Sequence, residues 1–167
     1  MARKVLFSFH FKADAWRASQ VRNMGVVEGN SPVSDNDWES IKRGGSQRIE
    51  KWIDSQLKGR SCTVVLVGAN TAGRRWINYE IGESWDTGKG VLGICIHNLK
   101  NRDGKKSRKG NNPFDKFMIE KERFLFGKKK VSLSSVVKLY DPPYMDSTDV
   151  YAYVKDRISR WVEKAIN

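Results

Sequence analysis

Four short apolar runs divide the chain, and each has the composition of a strand buried on both faces of a sheet. They lie at 4–9, 62–67, 91–96 and 135–140. β-Branched residues are frequent in them, and glycine or polar residues bound most of them, a pattern typical of parallel strands. The Gly-, Ser- and Asn-rich segment 25–45 reads as a loop with at most a short strand, so we predict a sheet of about five strands.

Helical periodicity occupies the intervals between these strands. An apolar stripe at spacings of three and four residues predicts a helix over 46–57. Further helices are predicted over 13–24, over 70–87 with Thr71 as the N-cap, and around the stripe 150–162. Strands that alternate with helices favour an α/β fold, in which a parallel sheet carries helices on both faces.

Such a sheet also predicts where a ligand would bind. Ligands of open parallel sheets lie beyond the carboxyl ends of the strands, which directs attention to the loops after Phe9, Gly68 and Ile96. Neither a Gly-x-Gly-x-x-Gly motif nor a Walker A lysine follows the first strand, so both familiar phosphate cradles are missing. The glycine-bounded turn at 68–73 is a weak signal, because such turns often serve geometry alone.

Length and composition fit a single globular domain over residues 1–167. A chain of 167 residues can bury a sizeable core, and its six Trp, seven Phe and five Tyr argue against disorder. No run reaches the roughly 18 apolar residues of a membrane span. The apolar run near the N-terminus is too short for a secretory signal, so a cytoplasmic location is expected.

The formal net charge of +12 suggests an anionic partner. Most of the excess lies in two polar segments, 100–109 and 128–130. Neither has the basic recognition helix or the interleaved exposed aromatics that nucleic-acid binders use. We therefore favour a solvated loop over nucleic-acid binding, and attraction to phosphates of a dinucleotide stays open.

The cysteines and histidines are few. Cys62 and Cys95 both lie in apolar runs, where a thiol behaves as a small core residue. Together with His10 and His97 they do not form a zinc-binding spacing. The sequence therefore predicts no metal site.

Side chains that can take part in catalysis or ligand binding are most concentrated at 74–81. Trp76 and Glu80 are four residues apart, so they share a helical face. Near the mouth of a parallel sheet, this pair could hold a flat ring beside a developing positive charge. Spacing alone favours a plainer arrangement, in which Trp76 packs in the core and Glu80 is solvated or paired with an arginine.

Several segments resemble the TIR-like domains of bacterial antiphage defence. They are Lys4-Val-Leu-Phe-Ser-Phe-His10, Val64-Val-Leu-Val-Gly68, Arg75-Trp-Ile-Asn-Tyr-Glu-Ile81 and Asn112-Pro-Phe-Asp115. The Trp-x-x-x-Glu helix is shared with TIR domains broadly. The Phe-His and Asn-Pro-Phe segments are narrower marks of the ThsB branch, which belongs to Thoeris systems. The similarity runs from about residue 3 to residue 140.

The resemblance implies a flavodoxin-like fold and an enzyme that cleaves NAD at the bond between nicotinamide and ribose. NAD is then the substrate, and no separate cofactor is implied. In this branch the product is a cyclic ADP-ribose isomer that switches on a separate effector protein, and a homo-oligomer on activation stays open. The alternative is a non-catalytic TIR-like module that binds a nucleotide or a protein.

The motif match carries the family's catalytic glutamate onto Glu80. The implied substrate-binding residues are Phe9, His10, Trp38, Trp76, Asn78 and Asn112. Arg74 and Arg75 could meet the pyrophosphate. A core Phe9, an exposed His10 and a plain turn at Asn112 are equally open. The Arg-Asp and Pro-Gly sequence usual in the loop around Trp38 is missing, which leaves the family's loop-mediated assembly without support here.

Overall fold

A computed structural model describes residues 2–33, 35–123, 125 and 127–167. The chain begins with strand β1 (Val5–Ser8) and the helices α1 (Phe11–Arg22), α2 (Asp35–Arg43) and α3 (Ser46–Leu57). Strand β2 (Cys62–Val67), helix α4 (Arg75–Asp86) and strand β3 (Gly90–Cys95) follow. The last part contains β4 (Met118–Arg123), β5 (Gly127–Ser132), a 3-10 turn (Leu133–Ser135), β6 (Leu139–Tyr140) and α5 (Ser147–Ile166).

Four of these strands form one parallel sheet in the order β1-β2-β3-β6. A parallel bridge between Lys4 and Glu28 extends the β1 edge by a single residue pair. The α/β fold with a parallel sheet is therefore confirmed. The strand count of about five was too high by one, because the chain touches β1 only at Glu28 before it turns away.

Side chains that alternate along each strand enter cores on opposite faces of the sheet. On one face, Phe7, Val64 and Leu66 pack with buried residues of α1 and α5. On the other face, Val65 and Val67 pack against α4. The helices thus cover both faces, as the continuous apolar strands predict.

The structure corrects the prediction that 25–45 is a loop. Helix α2 forms within it, because Ile41 is buried against α3 and Trp38 packs beside it. Its interior is polar elsewhere, so composition suggested a loop while tertiary packing stabilises the helix. The apolar residues are only three positions apart, which is too short a pattern to recognise alone.

Two further boundaries were wrong. Helix α4 begins at Arg75 rather than at Asn70, and Thr71 accepts a hydrogen bond from the Gly68 N–H at 2.8 Å instead of capping the helix. The predicted strand 135–140 forms only its last two residues, because a 3-10 turn occupies Leu133–Ser135. A separate antiparallel pair of β4 and β5 was not predicted.

The basic loop that follows β3 is exposed but anchored. Arg17 lies buried on α1 and pairs with Asp14 at 3.0 Å. The same guanidinium donates to the carbonyl oxygens of Leu99 at 2.7 Å and Lys105 at 2.9 Å. The Arg17 guanidinium therefore connects the predicted solvated loop to the core from beneath, at two of its carbonyl oxygens. Among the described residues, every helix is too short or too polar to span a bilayer.

Candidate active site

A cavity of about 470 Å³ opens beyond the carboxyl end of β1, between that strand and helices α2, α3 and α4. This is within the usual size range of small-molecule sites, about 300–1,000 Å³. Of the predicted site residues, the cavity brings together Phe9, His10, Trp38, Trp76 and Glu80. The position agrees with the rule that ligands of parallel sheets bind at the carboxyl ends of strands.

The charges around the cavity are unequal. Among its described lining residues, Glu80 is the acidic one, and the basic ones are Lys12, Arg22, Lys42, Arg74 and Arg75. A positively charged mouth attracts anionic ligands and strengthens their binding in a partly dry site. The cavity therefore suits an anion that also presents a cationic group to a single carboxyl.

Helix α4 positions Glu80. Ile77 and Ile81 on this helix are buried against the sheet. One turn further on, the Ser84 hydroxyl lies 2.6 Å from both the Glu80 carbonyl oxygen and the Thr63 hydroxyl of β2. These hydrogen bonds fix the rotation of α4 about its axis, so that Glu80 faces the cavity rather than the bulk solvent.

The Glu80 carboxyl is held without a cation. Among the described residues, no Lys, Arg or His lies within ion-pair distance of it. Burial raises its pKa to about 8, and the nearby Ser8 hydroxyl acts in the opposite direction. That hydroxyl is buried and makes no hydrogen bond of ordinary geometry within the described chain. An arginine-paired Glu80 is therefore not found among the described residues, and the side chain is only partly exposed.

Aromatic rings line the opposite wall. Phe11 links Phe9 to Trp38, with ring centroids 6.4 and 6.2 Å apart, and Trp38 continues to Trp52 at 5.6 Å. Rings at these separations pack favourably edge to face or offset. The row offers flat apolar surfaces on which a heterocycle could stack.

Trp76 lies on the helix that also carries Glu80. It is partly buried, meets Tyr79 edge-on at 5.9 Å, and carries the Arg75 guanidinium 4.5 Å above its ring centroid. It is therefore both a packing residue and a cavity residue, so the two interpretations of the sequence are compatible at this position.

His10 follows β1 at the cavity rim, directly before α1. Burial and the positive charge of Arg74 lower its pKa below the ordinary value for histidine. A neutral imidazole at this place can donate or accept a hydrogen bond without adding charge.

Two predicted residues lie elsewhere. Asn78 and Asn112 line a second cavity, of about 420 Å³, together with Asn111 and Phe117. The Asn112 side chain accepts a hydrogen bond from the Phe114 N–H at 2.9 Å, which is the turn that the sequence left open. Neither asparagine lines the cavity that contains Glu80. Asn78 points to a different side of α4, and Asn112 lies in the segment between β3 and β4.

Sequence reasoning also missed two residues of the site. Ser8 lies beside Glu80 without lining the cavity, and in the sequence it is only part of the first strand. Trp52 does line the cavity, and in the sequence it is only a member of an apolar stripe. A serine that ends a buried strand at the ligand-binding edge was the one available signal for Ser8. Trp52 lines the cavity beside Trp38 of α2, with ring centroids 5.6 Å apart, a contact between two helices that no local pattern indicates.

A parallel α/β domain with a partly buried glutamate at the carboxyl edge of its sheet has the layout of a TIR-like domain. Residues 6–101 match the family described as "Thoeris protein ThsB, TIR-like domain". The chain belongs to this family, and the matched region contains Glu80 together with the rest of its cavity wall. The resemblance inferred from the motifs is confirmed.

A curated relative from Bacillus cereus (strain MSX-D12) is 36% identical over 120 residues. Its name is "Putative cyclic ADP-D-ribose synthase ThsB1". The aligned part covers 69% of this chain and 62% of the relative. The chain therefore spans less than two thirds of the length of this curated protein.

Proposed function

We propose that this chain cleaves NAD⁺ between nicotinamide and ribose and closes the remainder into a cyclic ADP-ribose isomer. The observation that carries the proposal is the Glu80 carboxyl on the wall of the large cavity, which has no cationic partner among the residues that the structure describes. The name of the B. cereus relative and the family match support the same reaction class.

The chemistry requires a negative group at one place. When the C–N bond breaks, its electron pair leaves with nicotinamide, and the ribose becomes an oxocarbenium-like cation. A carboxylate fixed beside the anomeric carbon stabilises that cation more than it stabilises the ground state. Glu80 supplies such a group in a site partly screened from water, where its effect is larger than in solution.

The rest of the cavity can hold the remaining parts of NAD⁺. Its apolar rings, Phe9 and Trp38 among them, suit a stacked base. Arg74 and Arg75 lie on the same wall, and arginine pairs well with phosphate oxygens. The charge pattern therefore matches a substrate with an anionic middle and a cationic pyridinium end.

Ring closure needs an internal nucleophile to outcompete water. A ribose hydroxyl or adenine nitrogen of the same molecule would attack the anomeric carbon and lose a proton, so that the product contains no oxygen from solvent. A folded NAD⁺ between the aromatic wall and α4 would bring these ends together, because orientation raises the effective concentration of the internal group. The cyclic product would then act on a separate effector protein.

Product analysis tests the proposal. Cells that express the chain are infected with phage, and their extracts are supplied with NAD⁺ in ¹⁸O-labelled water. Free nicotinamide and an unlabelled product with the mass of cyclic ADP-ribose are expected. Labelled linear ADP-ribose would indicate hydrolysis instead. Absence of chain-dependent nicotinamide release under infection would favour the non-catalytic binding module.

The rate should depend on pH through Glu80. Since the carboxylate is the active form and its pKa is about 8, kcat/KM for NAD⁺ should rise about tenfold per pH unit below that value and level off above it. Nicotinamide release measured between pH 6 and pH 9, about the range over which the protein is expected to stay folded, gives the profile.

A variant of the neighbouring hydroxyl provides the check on that profile. Ser8→Ala removes the group that lowers the Glu80 pKa, so the inflection should move to higher pH. Ser19→Ala on α1, whose hydroxyl donates to the Trp16 carbonyl and lies outside the cavity lining, should leave the inflection in place. A flat profile in the parent would mean that Glu80 is not the titrating group.

A further inference from the structure

A second group of chemically active side chains lies where β3 and β6 end. Cys95 closes β3, His97 follows two residues later, and Asp141 comes directly after β6. A thiol sulfur, an imidazole nitrogen and a carboxylate oxygen of these residues all lie within 4.8 Å of one another. None of the three lines the cavity that contains Glu80.

One ring nitrogen of His97 has no hydrogen-bond partner among the described residues. His97 is 9% exposed, and its Nδ1 makes no hydrogen bond to any residue that the structure describes. A buried polar atom without a partner costs free energy. A ligand that accepts the nitrogen lone pair would remove that cost.

We propose that Cys95, His97 and Asp141 form a binding site for a divalent transition metal, with Zn²⁺ as the best match. One sulfur, one nitrogen and one carboxylate oxygen are the donors that zinc takes in proteins, in tetrahedral geometry. Hard cations such as Mg²⁺ prefer oxygen donors alone. A water molecule would complete the fourth position.

Lys109 occupies the neighbourhood of this group. Its ammonium pairs with the Asp141 carboxylate at 2.7 Å, so a cation already lies beside the carboxylate. Metal binding has to move this flexible side chain, which is largely exposed, into solvent. The Cys95 thiol gives up its proton to solvent as the metal–sulfur bond forms, and no electron transfer is involved.

The position of the site gives the metal a structural role. β3 and β6 are joined by only two residue pairs, Gly93 with Leu139 and Ile94 with Tyr140. Coordination by Cys95 and Asp141 would continue this connection past the last pair. It would also restrain the basic loop, because the His97 carbonyl accepts a hydrogen bond from the N–H of Ser107 within that loop.

Titration with Co²⁺, a spectroscopic stand-in for Zn²⁺, tests the proposal on the metal-free full chain. One equivalent should produce a thiolate-to-cobalt charge-transfer band and tetrahedral d–d absorption. Excess Zn²⁺ should bleach both signals and raise Tm. Lys109→Met, which removes the competing cation, should tighten Co²⁺ binding by about tenfold or more.

The variants separate this site from other cysteine chemistry. Cys95→Ser should abolish the charge-transfer band, whereas Cys62→Ser, at the other buried thiol, should retain it. Asp141→Asn alters an exposed side chain and is expected to keep the fold while weakening binding. No band in either the parent or the Lys109→Met protein would overturn the proposal. So would a band that survives in folded Cys95→Ser.

Discussion

The Glu80→Gln protein is expected to cleave NAD⁺ about 10²–10³-fold more slowly than the parent, a loss typical of removing one transition-state charge contact. Glutamine keeps the size and hydrogen-bonding reach of the side chain but cannot carry the negative charge that offsets the ribose cation. The measurement is initial nicotinamide release in infected-cell extracts, with both proteins at equal concentration.

The same substitution should act on stability in the opposite direction. The native state raises the Glu80 pKa from 4.5 to about 8, so between these values the folded chain holds a proton that the unfolded chain has released. The free energy of unfolding therefore falls as pH rises from about 4.5 to about 8, and above about 8 it stays lower by the full amount. Glutamine cannot ionise, so its Tm advantage over the parent should be larger at pH 9 than at pH 5, values chosen on either side of about that interval.

Glu83→Gln is the matched control for both measurements. Glu83 lies on the same helix, three residues further on, and is outside the cavity lining. It should change neither the cleavage rate nor the pH dependence of Tm. Equal rates for Glu80→Gln and the parent would remove the catalytic role of Glu80, whatever happens to stability.

Arg17→Met is expected to destabilise the protein by about 3–5 kcal/mol, the usual cost of removing one partner from a buried ion pair. Asp14 would be left almost fully buried without its cation. The carbonyl oxygens of Leu99 and Lys105 would lose their donor as well. Urea unfolding of parent and variant gives the difference in free energy.

Arg3→Met makes the same chemical change in an exposed ion pair. Arg3 and Glu163 are 2.7 Å apart, with about half of each side chain exposed, so the loss of stability should be much smaller than for Arg17→Met, because solvent screens an exposed ion pair. If both variants lost the same small amount, Arg17 would not be the anchor of the basic loop. Hydrogen exchange over 98–107 would show whether that loop loosens first.

The parts of the fold that the sequence predicts well are those with continuous apolar strands. β2 and β3 are buried along their whole length. A short apolar run with β-branched residues and a neighbouring glycine is typical of such a buried strand. Helix α5 carries its stripe over many residues and was equally clear. Glu80 lines the cavity that the sheet rule locates, so the motif and the topology point to the same place, and its catalytic role stays a prediction.

The missed elements depend on contacts that are distant in sequence. α2 carries only two apolar residues, Trp38 and Ile41, and these pack with residues of α3 and with Leu6 of β1. β5 has three consecutive lysines and is exposed along most of its length, and β4 is mostly charged, so their pairing has little hydrophobic signature. Asn78 lines the second cavity, whereas its motif neighbours Trp76 and Glu80 lie on another face of the same helix, so its role in substrate binding stays a prediction.

The tryptophans that border the Glu80 cavity allow ligand binding there to be measured by fluorescence. Trp38, Trp52 and Trp76 border it, whereas Trp161 stacks on Tyr140 at the opposite edge of the sheet. A bound nucleobase would quench the indoles near it and leave the distant one unaffected. Occupancy of this pocket can thus be followed by intrinsic fluorescence, without a label and before any bond is broken.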